Sequence, residues 1–430
     1  MSAEIISVLG TEYIQNLKVD NEHAGNIKGD TTEVTYISSL GGICAIQLSG
    51  PGGDSGLIGR IPATNCIWYG RIRGKIPSLT CGNNDLNCTT ISVSDPSSQQ
   101  LQWDKPEFPS ALEDPDATLF DFDRDIVHST TRDPRRRFFR YLSVFDQGEC
   151  IKGLSVYMSR NSIVGLGAHF TRRSQFSGHQ CGCELYFPLH DGEQIAYAWL
   201  RFPNAFAEPA LMIQTTSERT HTFGPCIAPH LAAGNSFKWL LLGQEGCIKG
   251  LYYENVNSGQ TIRRLGVIGD GTATRAAPLP PQYHICEFPS PLVGSLNGDL
   301  FLSSAVLNDL KVVDVCHVNE RCTGMLICYH NDRTVVLGQW YTSGYSRRTR
   351  IYRDGGPTVT NIYFRISKSS QIVTAIDFSS LVVETSDAEL HTFSIGEHIA
   401  WWFSGRHDKI LPWTGHTSQI PEKSMLKQHL

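Results

Sequence analysis

The sequence predicts an all-β protein assembled from repeated β-hairpins, on three grounds. Charged residues are only 18% of the 430, aromatics reach 10%, and there are 39 Gly and 21 Pro. That mixture suits short strands and tight turns more than helices or disorder. One hairpin text occurs twice, as Gly148-Glu149-Cys150-Ile151-Lys152-Gly153-Leu154 and as Glu245-Gly246-Cys247-Ile248-Lys249-Gly250-Leu251. In each copy apolar residues alternate with polar ones and Asn, Ser or Gly takes the turn, the pattern of a half-buried hairpin. Finally, Thr215-Thr216 through His221-Thr222-Phe223 returns at identical spacing as Thr385-Ser386 through His391-Thr392-Phe393. Such repetition means repeated β modules.

From the N-terminus, residues 1–30 are polar and uneven. Glu33–Ile37, Gly42–Leu48 and Leu57–Gly59 then form a degenerate hairpin around a Gly-rich turn through Gly56. Gln99–Asp133, rich in Ser, Pro and Asp, reads as a long excursion or linker. The unit opening at Arg140 holds Ser155–Tyr157 and Ile163–Gly167 across a polar turn, then Leu185–Leu189 and Gly192–Leu200 around another. Ala210–Thr216 pairs with Thr220–Pro225, and Cys247–Ile268 closes the unit. Arg275–Pro291, with Pro278, Pro280, Pro281, Pro289 and Pro291, reads as a linker. Beyond it Arg321–Tyr329, a turn at Asn331-Asp332 and Val335–Trp340 make another Cys/Gly hairpin, and Gly396–Trp402 echoes Gly192–Trp199. The predicted domains are an N-terminal extension with a degenerate hairpin (1–137), a first unit (138–272), a Pro-rich linker (273–297) and a second unit (298–430).

The length exceeds one ordinary core. A net charge of −5 gives no long-range pull toward nucleic acid or anionic lipid, so neither is expected as a partner. Arg135-Arg136-Arg137 and Arg347-Arg348 read as solvated loop ends. No apolar run approaches the ~20 residues of a membrane helix, and Met1–Asn16 has no basic region followed by an apolar one. A soluble protein follows, with cytoplasmic and secretory (signal removed) locations both open. Of the 13 cysteines, Cys150, Cys247 and Cys328 sit in apolar strand patterns as small core residues do. Disulfides stay open among Cys66, Cys81, Cys88, Cys181, Cys183 and Cys226, and Asn87-Cys88-Thr89 is a glycosylation sequon that suits a secreted protein.

Taken in order, Arg140–Asp270 resembles a jacalin-like β-prism unit, three four-stranded sheets about a pseudo-threefold axis. The carriers are the Ile151–Leu154 hairpin, the Leu189…Gly192-Glu193-Gln194-Ile195 strand, the Met212–Thr216…Phe223-Gly224-Pro225 segment and the closing Cys247–Val267 hairpin. A reordered second copy covers Leu310–Gly415. The expected fold is therefore two jacalin-like β-prism units, with a β-propeller as the alternative. Jacalin-like domains often bind sugars through a Gly-x-x-x-Asp loop. Here Gly259-Gln260-Thr261-Ile262-Arg263 has Arg in place of Asp, and Gly405-Arg406-His407-Asp408 brings Asp one residue early. A carbohydrate-binding or interaction protein without enzymatic activity is the second reading.

The length, the Cys322–Trp340 hairpin text and the Gly396–Trp402 block are similar to a small group of fungal proteins. That group includes the cofactor-free hetero-Diels–Alderases of tropolone-sesquiterpenoid biosynthesis. The resemblance implies dehydration of a hydroxymethyl-tropolone precursor to a quinone methide, then cycloaddition onto a humulene-derived alkene. It implies apolar small-molecule substrates and no cofactor.

Other chemistry finds little support. Gly53-Asp54-Ser55-Gly56 looks like a serine-protease nucleophile loop, yet of the histidines only His23 precedes it, so a Gly-rich hairpin turn is the better reading. Asp121-x-Asp123-x-Asp125 starts like a calcium loop but has Ile126 for the needed Gly and Arg132 for the bidentate Glu. His179, Cys181 and Cys183 lack a second spaced pair of metal ligands, so no metal is expected. No Walker or Rossmann Gly-rich turn is present.

The candidate site residues therefore come from residue type and clustering in the second unit. Trp340, Tyr341, Tyr345, Trp401, Trp402 and Trp413 are the candidate lining of an apolar substrate cavity. Arg347, Arg365, His391 and Asp408 are the candidate catalytic contacts. Trp401 and Trp402, adjacent in a strand, must face opposite sides.

Overall fold

A computed structural model describes residues 2–18, 32–39, 41–63, 67–73, 76, 79–84, 86–92, 100–104, 120–121, 136–146, 148–202, 209–225, 238–242, 246–254, 261–262, 264–270, 283–285, 300–342, 344, 346–356, 358–379, 386–413 and 416–418. All its regular elements are strands, in mostly antiparallel sheets of two to four strands and one of ten. The chain divides into two compact units, one made of Met1–Ser110, His128–Tyr141 and Tyr252–Val256, the other of Ala111–Val127, Leu142–Leu251 and Asn257–Leu430.

In the N-terminal unit the Glu33–Ser39 strand lies between Gly42–Gly50 and Trp68–Arg73, and Gln100–Trp103 continues the sheet to a parallel pairing with Arg136–Ser143. The hairpins Ser2–Val8/Thr11–Lys18 and Thr80–Asn83/Cys88–Ser92 complete it. Ile14, Val34, Tyr36, Ile43, Ile46, Ile76, Cys88 and Ile91 share one core. The region expected as an extension with one degenerate hairpin thus has a hydrophobic interior of its own. The turn there is at Pro51-Gly52, Gly53-Asp54 pairs back onto Ser49-Gly50, and Ser55 Oγ accepts from Leu48 N at 2.9 Å and donates to Gly56 O. Asn87 of the sequon is 5% exposed and donates its side-chain amide to Gly41 O at 2.8 Å, an arrangement that leaves no room for a glycan.

The second unit holds most of the two repeats, while residues 138–141 and Tyr252–Val256 of the first fall in the N-terminal unit. In the first, one sheet runs Ser174–Gly178, Ser162–His169, Gly153–Ser159, Cys183–Pro188, and another runs Thr220–Phe223, Ala210–Thr215, Ile195–Phe202, Lys238–Leu241. The third face is the end of a ten-stranded sheet, with Arg264–Gly269 between Phe120–Asp121 and Ile248–Glu254. In the second repeat the sheets are Thr334–Gly338, Arg321–Tyr329, Leu310–Val318, Arg347–Arg353; then Val373–Asp377, Asn361–Ser367, Ala388–Ser394; then Phe301–Val306, His398–Phe403, Asp408–Pro412. Each repeat is a three-sheet β-prism.

Local chemistry explains the pieces. The Gly153–Ser159/Ser162–His169 hairpin turns on Arg160 and Asn161, whose φ values of 50° and 65° are both positive, as a twist-matched two-residue turn requires. Along Asn361–Ser367 burial alternates strictly, with Ile362, Phe364 and Ile366 inward. Trp199, Ile213 and Phe223 fill the first prism, and Val315, Met325, Phe364 and Trp401 the second. Each such side chain, fully buried, contributes roughly 1.5–3 kcal/mol.

Several details differ from expectation. Leu185–Leu189 and Gly192–Leu200 flank one turn, but Cys183–Pro188 pairs with Gly153–Ser159 while Ile195–Phe202 pairs with Ala210–Thr215. The turn is a prism corner between two sheets. The strand expected to reach Trp340 stops at Gly338, whose φ of 82° breaks the extended run. Cys150, Cys247 and Cys328 are half-buried rather than fully in the core. Of the Pro-rich stretch 273–297 only Tyr283–Ile285 is described, and it pairs with His416–Ser418. Among the described residues no helix is long and apolar enough to cross a membrane.

Candidate functional site

The two prisms of the second unit enclose a cleft of about 360 Å³. That volume lies within the roughly 300–1,000 Å³ typical of small-molecule sites. From the first prism come Tyr186, Phe187 and Pro188 at the end of one strand, Arg201 and Met212 from the neighbouring sheet, and Arg219–Thr222 at its hairpin turn. From the second prism come Leu302–Ser304, Arg333–Val336 and Trp413. The lining is half apolar wall and half hydrogen-bonding rim. Among the described residues that line it there are three guanidinium groups and no carboxylate.

Arg219 fixes one wall. Its Nε donates to Glu193 Oε1 at 3.0 Å, its Nη2 to Glu193 Oε2 at 2.8 Å and to Pro188 O, and its Nη1 to Thr334 O at 3.2 Å. The guanidinium lies 4.6 Å from the centre of the Phe187 ring, and His221 stacks on Phe187 at 4.9 Å with 20° between the planes. Glu193 is buried, which alone would raise its pKa. The Arg219 pair, with donation from His190 N and Thr215 Oγ1, outweighs that and holds the carboxyl below its ordinary range. Thr334 N donates to His190 Nε2 at 3.2 Å, and burial with the nearby Arg219 charge keeps the His190 pKa low. Arg333 differs from Arg219. Its side chain is exposed and makes no hydrogen bond or ion pair among the described residues, so its guanidinium is available to a ligand.

Gly153 sets the position of Tyr186. A Cβ at residue 153 would lie 2.3 Å from the Tyr186 ring, so the ring can fold over that strand only because the position is glycine. Behind Tyr186, Ser155 Oγ lies 2.8 Å from His169 Nε2 and donates to Glu184 Oε1 at 2.6 Å. These are the residue types of a nucleophilic triad in a different order. The carboxylate accepts from the serine, whereas His169 Nδ1 meets Ser174 Oγ at 2.9 Å. Among the described residues no carboxylate meets His169 Nδ1, as the usual triad requires.

The residues singled out from the sequence disperse. Trp413 lines the cleft and stacks on His398 at 5.1 Å. Trp402 packs with Leu300 in a small core that Leu302 and Trp413 join. Trp401, on the opposite face, is wholly buried; its Nε1 donates to Asp408 Oδ1 at 3.0 Å and its ring meets Phe364 edge-on. Asp408 is 2% exposed and also accepts from Arg321 Nε, Arg321 Nη2 and Val373 N. Its acceptor capacity is used inside the protein. Trp340 is buried under the Arg348 guanidinium. Tyr341 borders a more open depression beside Arg321, Ile372 and Gly405. Arg347 is exposed on its strand, Arg365 donates to Thr374 Oγ1 at 3.3 Å, and His391 Nε2 lies 3.0 Å from Glu389. Tyr345 and the turn at Gly259 and Arg263 fall outside the described residues.

The cleft residues that sequence reasoning missed are Phe187, Arg219, His221 and Arg333. Glu184, a polar residue inside the apolar strand text Cys-Glu-Leu-Tyr-Phe-Pro, was a local signal for the group behind Tyr186 and not for the cleft.

No known protein family profile matches the chain, and no curated protein does. Among solved structures it is similar to a prostate-specific WGA16 glycoprotein lectin, at 17% identity and a TM-score of 0.24, over 33% of this chain and 95% of that one. It is also similar to a lamprey immune protein, at 11% identity and a TM-score of 0.23, over 61% of this chain and 79% of that one. Overlaps this slight say nothing of ligand or activity.

Proposed function

We propose that the protein is a cofactor-independent pericyclase, which joins a tropolone quinone methide to a humulene-type sesquiterpene by intermolecular hetero-Diels–Alder cycloaddition. The observation that supports this reading is the composition of the cleft: Phe187, Met212, Leu302, Val335, Val336 and Trp413 on its walls, one exposed guanidinium at Arg333, and no carboxylate among the described lining residues. Apolar walls favour a hydrocarbon alkene. A guanidinium favours the oxygens of an acidic, electron-poor ring and suits a planar pair of acceptors. A site for neutral sugars would instead call for acceptors aimed at hydroxyls, and Asp408, in the turn most like a sugar loop, is fully engaged by Arg321, Val373 and Trp401.

Within this reading Arg333 binds the tropolone oxygens. As the hydroxymethyl group leaves as water and the ring hydroxyl gives up its proton, the neutral quinone methide forms. Its oxygen and exocyclic carbon then bond to the two alkene carbons. Holding both partners in a near-attack pose contributes up to roughly 7–11 kcal/mol, and a preorganised donor on the oxygen as charge develops on the order of 3 kcal/mol. The experiment is incubation of purified protein with a quinone-methide precursor and humulene. Enantioenriched adduct, lost in Val336→Trp, is the expected result. Racemic adduct at the uncatalysed rate, or selective binding on a glycan array with no turnover, overturns the reading.

A further inference from the structure

Glu184 is wholly buried, and among the described residues it has no ion-pair partner. Its oxygens face hydrogen-bonding groups from both prisms. Ser155 Oγ lies 2.6 Å from Oε1, Thr342 Oγ1 lies 2.5 Å from the same atom, and Thr342 N lies 3.3 Å from each oxygen. From Ser155 the contacts continue to His169 Nε2, and from His169 Nδ1 to Ser174 Oγ, which is on the surface. A continuous line of exchangeable hydrogens therefore runs from solvent to the joint between the prisms. Other titratable groups face this line: Tyr157 from the Ser155 strand, Tyr186 from the Glu184 strand, and Tyr341 and Arg348 from the second prism.

We propose that Ser155, His169 and Glu184 form a proton relay, and that the protonation state of Glu184 governs how tightly Thr342 of the second prism is latched to the first. The relay carries one proton. With Glu184 charged, Ser155 Oγ donates to it; in the uncharged form the direction reverses, the Glu184 carboxylic acid donating to Ser155 Oγ and the Ser155 hydroxyl to His169 Nε2. Shifting both hydrogens along the line gives a carboxylate and an imidazolium with Ser155 unchanged, so atoms and charge balance. Burial favours the uncharged form at both ends. It raises the Glu184 pKa, and with the Arg348 charge it pushes His169 down to about 4. Loss of the proton to solvent leaves a buried carboxylate with no ion-pair partner among the described residues, a state relieved by admitting water at the joint.

The signs follow. With a raised folded pKa, the Glu184 contribution is complete below about 4.5 and fades as pH rises through the folded value. The His169 contribution is complete above its ordinary 6.5 and fades as pH falls through about 4. The latch is thus tightest in the interval where the relay is uncharged, and it opens on the alkaline side through Glu184.

The test is hydrogen exchange at the Thr342 amide in the full chain, corrected for intrinsic rate, from pH 5 to 9, with infrared detection of a protonated carboxyl. In the wild type, protection should fall at least tenfold as pH rises, and a protonated-carboxyl band should vanish in step. In Glu184→Gln the protection should hold constant and the band should be missing. Thr342→Val, which keeps the acid and removes one donor, provides a second variant should Glu184→Gln not fold. It should show the band with low protection throughout. Wild-type protection that is flat with pH, or a protonated-carboxyl band no weaker in Glu184→Gln than in the wild type, overturns the relay.

Discussion

Arg219 and Glu193 form a two-point ion pair in the cleft wall, with N–O distances of 3.0 and 2.8 Å, and the same guanidinium reaches Thr334 O of the other prism. The Glu193 side chain is 1% exposed and that of Arg219 16%, so the pair works in a dry environment. Removing one member of such a pair strands the other. Arg219→Ala should lose about 3–5 kcal/mol of stability, read by urea denaturation. Arg219→Lys, which keeps charge but not the fork, should lose less. Equal stability of Arg219→Ala and the wild type would contradict the assignment.

The same pair makes stability depend on acid. Burial acts to raise the Glu193 pKa, but its hydrogen bonds and the Arg219 charge bring it below 4.5. Its contribution is therefore complete above about 4.5 and is lost as pH falls through the lower folded value. As pH falls below 4.5 the wild type should lose more stability than Glu193→Gln. Parallel acid-unfolding curves would refute this.

Asp408 should behave as a structural residue. It satisfies Arg321, Trp401 Nε1 and Val373 N together. Asp408→Ala should lower stability by about 3–5 kcal/mol and lower turnover only in proportion to the folded fraction. A melting temperature unchanged while turnover collapses would instead return Asp408 to the chemistry.

The cleft makes two predictions that leave the fold intact. Val336 is half-buried and lines it, so Val336→Trp should occupy the volume and raise KM at least tenfold with little change in Tm. Arg333 is exposed, so Arg333→Glu should weaken binding of an anionic ring roughly five- to tenfold, less at high salt. A neutral analogue of the ring should be indifferent to that change. Tight anion binding by Arg333→Glu, measured by titration calorimetry, would rule the contact out.

The amino-acid sequence determined the strands and which way their side chains point, because a period of two and a turn of Asn, Gly or Asp are properties of neighbouring residues. It specified that Trp401 and Trp402 part company, and that the Cys/Gly hairpins recur in two bodies. Only the tertiary structure decided that the corner before Ile195 separates two sheets, and that Phe187, Arg219 and Arg333 meet around one cleft. Aromatic and charged residues close in sequence drew attention to Trp340, Trp401 and Asp408, but those close their own prism's interior. A site between two packed prisms is built from strand ends and turns far apart in the chain, and the packing that brings them together leaves no local periodicity to read.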